Sequence, residues 1–278
     1  MIDLLILAIK ETILYVLVSY GIYVSFKVLK FPDLSIDNVF SFGAIAGVFF
    51  YTYTQNILIS TIILILASII LGGITSSLHS YFKISKLFSG ILVFTMLYSV
   101  NLKFFHKPNI PIDIDINIFN VLLISLLFIF ILFLLNKTFL GKLMIVYGDN
   151  KNLLKELSIN KNFILFIGLS LSTTLVTISG FYTALYFGFA DISLGFGVLI
   201  SGVAGILLGD IIGNKLGLKN DYLNILIGVI IYNTILSIVS FYFLNTYIEA
   251  SDLKMVSSLI LITILYINNK NSKDLFGI

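Results

Sequence analysis

The sequence predicts an all-α, polytopic transmembrane helical bundle with about nine crossings and an inverted-topology internal repeat. Of its 278 residues, 59% are hydrophobic and 11% charged, which is too little charge to cover a soluble domain. The apolar stretches are continuous rather than alternating, so helices and not barrel strands are expected to span the bilayer. A short motif recurs 158 positions later, in a segment predicted to run the opposite way.

Nine apolar segments supply the predicted crossings of a single domain, residues 1–278. They cover 4–29, 38–54, 57–77, 87–102, 117–136, 162–186, 194–212, 222–245 and 254–268. A helical span needs about 20 residues, and the second and fourth segments are shorter, which fits helices that are tilted, broken or partly re-entrant. The first segment lacks a preceding basic region and is too long for a signal peptide, so we expect it to be retained.

The lysines orient these segments, because cytoplasmic loops carry an excess of positive charge. With the N-terminus outside, most of the 17 lysines fall on the cytoplasmic side: Lys27, Lys30, Lys83, Lys86, Lys137, Lys142, Lys151, Lys155, Lys161, Lys215, Lys219, Lys270 and Lys273. Only Lys10, Lys103, Lys107 and Lys254 remain outside. We therefore expect a multi-pass protein of the cell membrane with an external N-terminus and a cytoplasmic C-terminus.

The internal repeat relates FPDLSI at 31–36 to FADISL at 189–194. Ten positions after each aspartate comes a row of small residues, namely Gly43, Ala44, Ala46 and Gly47 in the first copy and Ser201, Gly202, Ala204 and Gly205 in the second. Five crossings separate the copies, so they are predicted to run in opposite directions. The pseudo-repeats cover roughly 1–102 and 162–268, and such repeats commonly enclose a pathway at their interface.

Each copy has a local structural explanation as well as a functional one. Asp33 and Ser35, like Asp191 and Ser193, are residue types that cap helices. The small residues, above all Gly43, Gly47, Gly202 and Gly205, allow helices to approach closely. Capping and packing are the commoner roles for these residue types. Direct contact of the two aspartates with a solute is the sharper hypothesis.

The longest predicted cytoplasmic loop, 137–161, contains a short amphipathic helix. Asn150 is a favourable N-cap, and Leu153, Leu154 and Leu157 are predicted to share one face. Such a helix can lie on the membrane surface or dock onto a soluble partner. The residues alone favour neither over the other.

No catalytic or metal-binding pattern is visible. There is no cysteine, and neither of the two histidines, His79 and His106, has a second ligand at metal spacing. Neither HExxH nor a Walker A sequence occurs, so no enzyme activity, metal or cofactor is expected of this chain. A net charge of +3 gives no indication of nucleic-acid binding. The acids gather at helix ends, which weakens an ion-driven mechanism without excluding it.

Four stretches, spread over most of the chain, resemble the permease subunits of ABC importers in the branched-chain amino acid and ribose permease superfamily. They are 31–37 with 42–44, 90–101 with 107–111, 148–160 and 180–209. Within that superfamily, the chain is most similar to the permease group that accompanies tryptophan/tyrosine-type substrate-binding lipoproteins. It departs from the pattern at Asn38, where glycine is common, and at Lys103 and Lys107, where arginine is commoner.

The resemblance implies a homodimer in the lipid bilayer that imports a small solute, an amino acid by similarity. Two cytoplasmic ATPase subunits and an extracytoplasmic substrate-binding lipoprotein would be its partners. It places the ATPase-coupling region at Gly148, Asp149, Asn150, Leu153, Leu154, Glu156, Leu157 and Ile159. It places Asp33, Ser35, Asp37, Asp191 and Ser193 near the translocation pathway. The alternatives are a self-sufficient ion-coupled carrier, which would work without partners, and a lipid-modifying membrane enzyme, for which no acid–base pair is visible.

Overall fold

The computed structural model describes residues 2–104, 109–112, 118–218, 220–243 and 253–269. The helices are α1 (Ile2–Ile22), α2 (Ile36–Thr54), α3 (Ile57–Ser80), α4 (Lys86–Phe104), α5 (Ile118–Lys137), α6 (Phe139–Asp149), α7 (Lys151–Glu156), α8 (Lys161–Phe187), α9 (Val198–Leu216), α10 (Asp221–Phe243) and α11 (Leu253–Asn269). A π-helical turn, Tyr23–Val28, extends α1, and a 3-10 turn, Ile192–Gly195, precedes α9. Strands β1 (Asn109–Pro111) and β2 (Phe189–Asp191) pair antiparallel.

The all-α polytopic class is confirmed, and every predicted apolar segment coincides with one long helix, α1–α5 or α8–α11. Within the described ranges, five helices are long and apolar enough to cross a membrane. The number rises to six if α5 and α6, bent by 74° at their junction, form one span. Helices α2 and α4, the two segments predicted to be short, are not among the five. Nine crossings therefore remain a prediction.

Helix α8 lies at the centre of the bundle, and α2 runs parallel to it. Gly43 of α2 packs directly on the backbone of Thr177, and Gly47 packs on the ring of Phe181. A side chain at either glycine would overlap these atoms, so the small residues set the distance between the two helices. Gly43 contacts Thr177 and Gly47 contacts Phe181, so the residue numbers increase in the same direction and the two helices are parallel.

Helix α1 runs antiparallel to α8. The hydroxyl of Ser179 donates to the carbonyl oxygen of Leu14 at 2.5 Å, and that of Ser172 donates to the carbonyl oxygen of Gly21 at 2.7 Å. These bonds satisfy the hydrogen-bonding capacity of the two serine hydroxyls inside the bundle, as the apolar interior of a membrane requires. The first helix and the central helix are therefore joined by hydrogen bonds as well as by apolar packing.

Helix α9 follows the direction of α1 and so opposes α2. Gly202 packs on the side chain of Ile22, and further along both segments Asp210 pairs with Lys27. The residue numbers increase in the same direction on both sides, so α9 is parallel to α1. Gly205, the other small residue singled out in the second copy, packs on Val229 of α10. The two helices that carry the repeated motif thus run in opposite directions.

Four lysines used for the orientation, Lys107, Lys219, Lys270 and Lys273, lie outside the described residues, as does His106. The N-cap predicted at Asn150 is confirmed, because its side-chain oxygen accepts a hydrogen bond from the N–H of Asn152 at 3.0 Å. Helix α7 begins there and ends at Glu156, so it is shorter than the predicted amphipathic run.

Candidate functional site

The first copy of the motif forms a buried turn ahead of α2. One oxygen of Asp33 accepts hydrogen bonds from the N–H of Ser35 at 2.9 Å and from its hydroxyl at 2.7 Å. Both residues are fully buried, and the second oxygen of Asp33 has no hydrogen-bond partner among the described residues. Burial raises the pKa of the Asp33 carboxyl, and the two bonds from Ser35 act in the opposite direction. Ser35 precedes α2, but its hydroxyl does not cap that helix.

The second copy repeats the same local hydrogen bond in a more open setting. A carboxylate oxygen of Asp191 accepts from the N–H of Ser193 at 2.5 Å, which caps the 3-10 turn. Asp191 is half-buried and also ends β2, where it pairs with Asn109, while Ser193 is exposed. Both aspartates therefore accept from the N–H two residues further on, but only the second is accessible from outside the protein.

Asp37 connects the two copies. It lies in the first turn of α2, and its carboxylate oxygens accept from the N–H of Leu199 at 2.7 Å and of Gly197 at 3.1 Å. These groups belong to the start of α9, whose first N–H groups have no partner inside their own helix. A carboxylate is well suited to this position because it also faces the positive end of the helix dipole. Gly197 has φ +89°, a conformation that glycine adopts without strain.

Two further contacts bring the start of α2 against the turn before α9. The hydroxyl of Ser41 donates to the carbonyl oxygen of Ile192 at 2.7 Å. Gly195 packs on the backbone carbonyl of Asp37 so closely that a side chain would not fit. The two oppositely directed helices therefore begin at a shared point. Since Gly43 lies level with Thr177, this point is near the middle of α8.

Asn38 attaches α4 to the same point. Its side-chain N–H donates to the carbonyl oxygen of Phe94 at 2.7 Å, and the side chain of Asn101 donates to the carbonyl oxygen of Asn38 at 3.2 Å. Gly90 at the other end of α4 packs on the backbone N–H of Leu34 and on Asp33. Position 38 is one where this chain departs from the family pattern, which commonly has a glycine there. The asparagine found there adds a bond that glycine cannot make.

Helix α4 also has exposed hydroxyl groups that are not among the site residues predicted above. Thr95 and Ser99, one helical turn apart, are both exposed, and Tyr98 beside them is 41% exposed. The exposed positions of α3, in contrast, are apolar, among them Leu58, Ile59, Ile62, Leu66 and Ile70. The spacing of Thr95 and Ser99 was available in the sequence, but only the fold reveals that this side of α4 is uncovered.

The segment proposed for coupling contains one buried and two exposed leucines. Leu154 is 0% exposed, whereas Leu153 is 43% and Leu157 57% exposed. Leu154 therefore holds α7 onto the bundle, and only the other two leucines are available to a partner. Glu156 is exposed, and Ile159 is half-buried and follows the end of α7.

The same segment touches the connector that leads from α1 to the first motif. Gly148 packs on the carbonyl oxygen of Val28, leaving no room for a side chain. The ammonium group of Lys30 lies 2.9 Å from a carboxylate oxygen of Asp149. The carbonyl oxygen of Lys30 in turn accepts a 2.5 Å hydrogen bond from Lys86 at the start of α4. Residues 148–150 are thus joined to the chain three positions before Asp33.

A second ionic cluster joins the π-helical turn to α9 and α10. The ammonium group of Lys27 lies 2.8 Å from Asp210 and 3.7 Å from Asp221, and the hydroxyl of Tyr23 donates to Asp221 at 2.9 Å. The side chain of Asp210 is 8% exposed. Its charge is therefore compensated inside the protein, which makes Asp210 a structural acid in this state.

Among the described residues, no three or more histidine, cysteine, aspartate or glutamate side chains lie together so that they could hold a metal ion. His79 forms a 2.8 Å hydrogen bond through its Nδ1 with the carbonyl oxygen of Ile84, and its ring packs edge-on against Phe31. This histidine is therefore engaged in closing the turn between α3 and α4.

Comparisons with known proteins identify the relatives of this chain. A family model described as the permease component of branched-chain amino acid transport systems matches residues 4–266. A tyrosine transport system permease protein of Clostridioides difficile (strain R20291) is 35% identical over 270 residues, which cover 94% of this chain and 90% of that protein. An uncharacterized protein, RP368, of Rickettsia prowazekii (strain Madrid E) is 31% identical over 273 residues, covering 93% and 95%. No solved structure matches the chain at a comparable level.

Proposed function

The chain belongs to the family of permease components of branched-chain amino acid transport systems, and on that premise we propose that it imports an amino acid, with tyrosine as the first solute to test. It is the multi-pass permease subunit of an ATP-driven (ABC) importer. The observation that carries the proposal is the family match over nearly the whole chain, together with the tyrosine transport system permease protein among its relatives. Its role is transport, with the energy supplied by a separate ATPase.

We propose about nine crossings, with the N-terminus outside and the C-terminus in the cytoplasm. The excess of lysines on one side supports this orientation. We also propose that 1–102 and 162–268 form inverted repeats. This is supported by the opposite directions of α2 and α9 and by the matching hydrogen bonds within Asp33–Ser35 and Asp191–Ser193.

The translocation pathway is proposed to pass the shared starting point of α2 and α9. Asp191 and Ser193 are the motif residues that a solute can reach, because they are less buried than Asp33 and Ser35. The buried pair holds the turn before α2 in place. The exposed hydroxyl groups of α4 supply further polar contacts, since polar side chains inside a membrane protein mark substrate paths. In a homodimer, two copies of these surfaces would enclose the path.

Asp37 offers a test of this pathway. Replacement by alanine removes both hydrogen bonds to the start of α9 and is expected to destabilise the contact between α2 and α9 by about 2 kcal/mol. ATP-driven uptake should fall, while association with the ATPase persists, because α7 lies elsewhere. Asparagine keeps one acceptor oxygen and should lose about half as much. Uptake by the alanine variant at the wild-type rate would argue against a role for this contact in transport.

The transport function itself is tested by reconstitution. Vesicles containing the permease, its ATPase and its binding lipoprotein are expected to accumulate labelled tyrosine only when ATP is present on the ATPase side. Other amino acids, added unlabelled, then rank the specificity by competition. Accumulation driven by an ion gradient, with no ATPase present, would instead establish the alternative of a self-sufficient carrier.

A further inference from the structure

A group of cationic side chains surrounds the cytoplasmic end of α3. The backbone of α3 at Gly72 packs on Ser170, so the end of α3 lies beside the start of α8, where Lys161 is found. Lys151 begins α7, next to Asp149, and Lys86 reaches the carbonyl oxygen of Lys30. We call Lys86, Lys151 and Lys161 the basic cluster; Lys155 lies one helical turn after Lys151 on α7.

The basic cluster has no anionic partner within the part of the chain that the structure describes. The ion pairs found there use Lys27 and Lys30 instead. Lys86 donates to a neutral carbonyl oxygen, and the ammonium group of Lys151 lies 4.7 Å from the ring centroid of Tyr147. Lys86 and Lys151 are both half-buried, and the groups that they contact here carry no charge.

The electrostatic environment reflects this lack of compensation. Burial, followed by the nearby charges of Lys151 and Lys30, lowers the pKa of Lys86. Burial and then Lys161 lower the pKa of Lys151. The excess of cytoplasmic lysines in membrane proteins explains why these residues lie on one side, but it does not require them to be close neighbours. An anion placed among them would relieve the repulsion.

We propose that the surface of the ATPase subunit that receives α7 is lined by carboxylates, which pair with the basic cluster. This inference rests on the proposed docking of α7 and specifies the partner's chemistry. Lys151 and Lys155 belong to the same short helix as the exposed Leu153, so a groove that takes up this leucine brings its rim against both lysines. Such charge pairs guide the approach and orientation of partners more than they increase final affinity.

The test compares two double variants of the full-length permease in neutral lipid nanodiscs. Replacing Lys151→Gln and Lys161→Gln should weaken ATPase binding about tenfold at low salt and flatten its dependence on salt. The control is Lys142→Gln with Lys215→Gln, since both are exposed lysines outside the basic cluster. The control variant should bind and respond to salt like the wild type.

Three results would overturn the inference: binding by the wild type that does not depend on salt, unchanged binding by the cluster variant, or an equal loss in the control. A requirement for anionic lipid, measured by repeating the titration with such lipid in the nanodiscs, would assign the cluster to lipid headgroups instead. If the wild-type permease fails to bind the ATPase at any salt concentration, the proposed function fails rather than the charge argument.

Discussion

Replacing Gly43 by alanine is expected to destabilise the folded protein by about 3 kcal/mol, at the upper end of the cost of overpacking. The added methyl group would overlap three backbone atoms of Thr177, including its carbonyl oxygen. Backbone atoms of a buried helix have no alternative rotamer, so α2 has to move away from α8. This shift would also strain the contacts of Asp37 and Ser41 with the second half of the chain. The effect is measured as the thermal midpoint of the purified protein, that is, the temperature at which half of its monodisperse peak in size-exclusion chromatography is lost.

Gly73 provides a matched control in another helix. A methyl group there meets only ring atoms of Phe166, the nearest at 2.9 Å, and a side chain can turn aside. Alanine also favours a helix over glycine by about 1 kcal/mol. Gly73→Ala should therefore leave the thermal midpoint near that of the wild type. Equal midpoints for Gly43→Ala and Gly73→Ala would show that α2 is not held against α8 as described.

Replacing Leu153 and Leu157 together by aspartate is expected to reduce association with the ATPase more than a hundredfold. Both leucines are exposed in the isolated chain, so the change leaves the fold intact. In a docked complex they would be buried, and each substitution then removes apolar contact and places an unpaired carboxylate in the interface. Pull-down of the ATPase by the tagged permease, with ATP-driven uptake measured in parallel, tests this expectation.

Two comparisons make this result interpretable. Leu216→Asp changes a leucine that is 64% exposed at the end of α9, outside the segment proposed for coupling, and should leave association unchanged. Leu154 is unsuitable as a probe, because it is fully buried and its replacement would damage the fold. Undiminished ATPase binding by the double variant would remove α7 from the docking surface. Such a result would leave the family membership untouched.

The sequence predicted the helices well because each is a continuous apolar run, and the short second and fourth apolar segments marked α2 and α4 as unusual. It could not predict the pairing of Asp37 with the start of α9, since the partners are more than 150 positions apart. The carboxylate of Asp37 accepts from backbone N–H groups, which every residue except proline has, so no residue type marks the partner. The repeat indicated that the two motifs were related, but not that they meet. For α7, the spacing of leucines identified an amphipathic helix without revealing that Leu154 faces inward, because the orientation depends on neighbouring helices.

The ion pair between Lys30 and Asp149 has a mechanical consequence. It joins the segment next to the exposed leucines to a point three residues before Asp33, and the carbonyl oxygen of Lys30 holds α4 through Lys86. At the same place Gly148 packs on the carbonyl oxygen of Val28, so the two backbone segments are in direct contact. We therefore expect a displacement of α7 to be transmitted to the turns before α2 and α4 at the same time, because both turns are joined to residues 148–150 through Lys30.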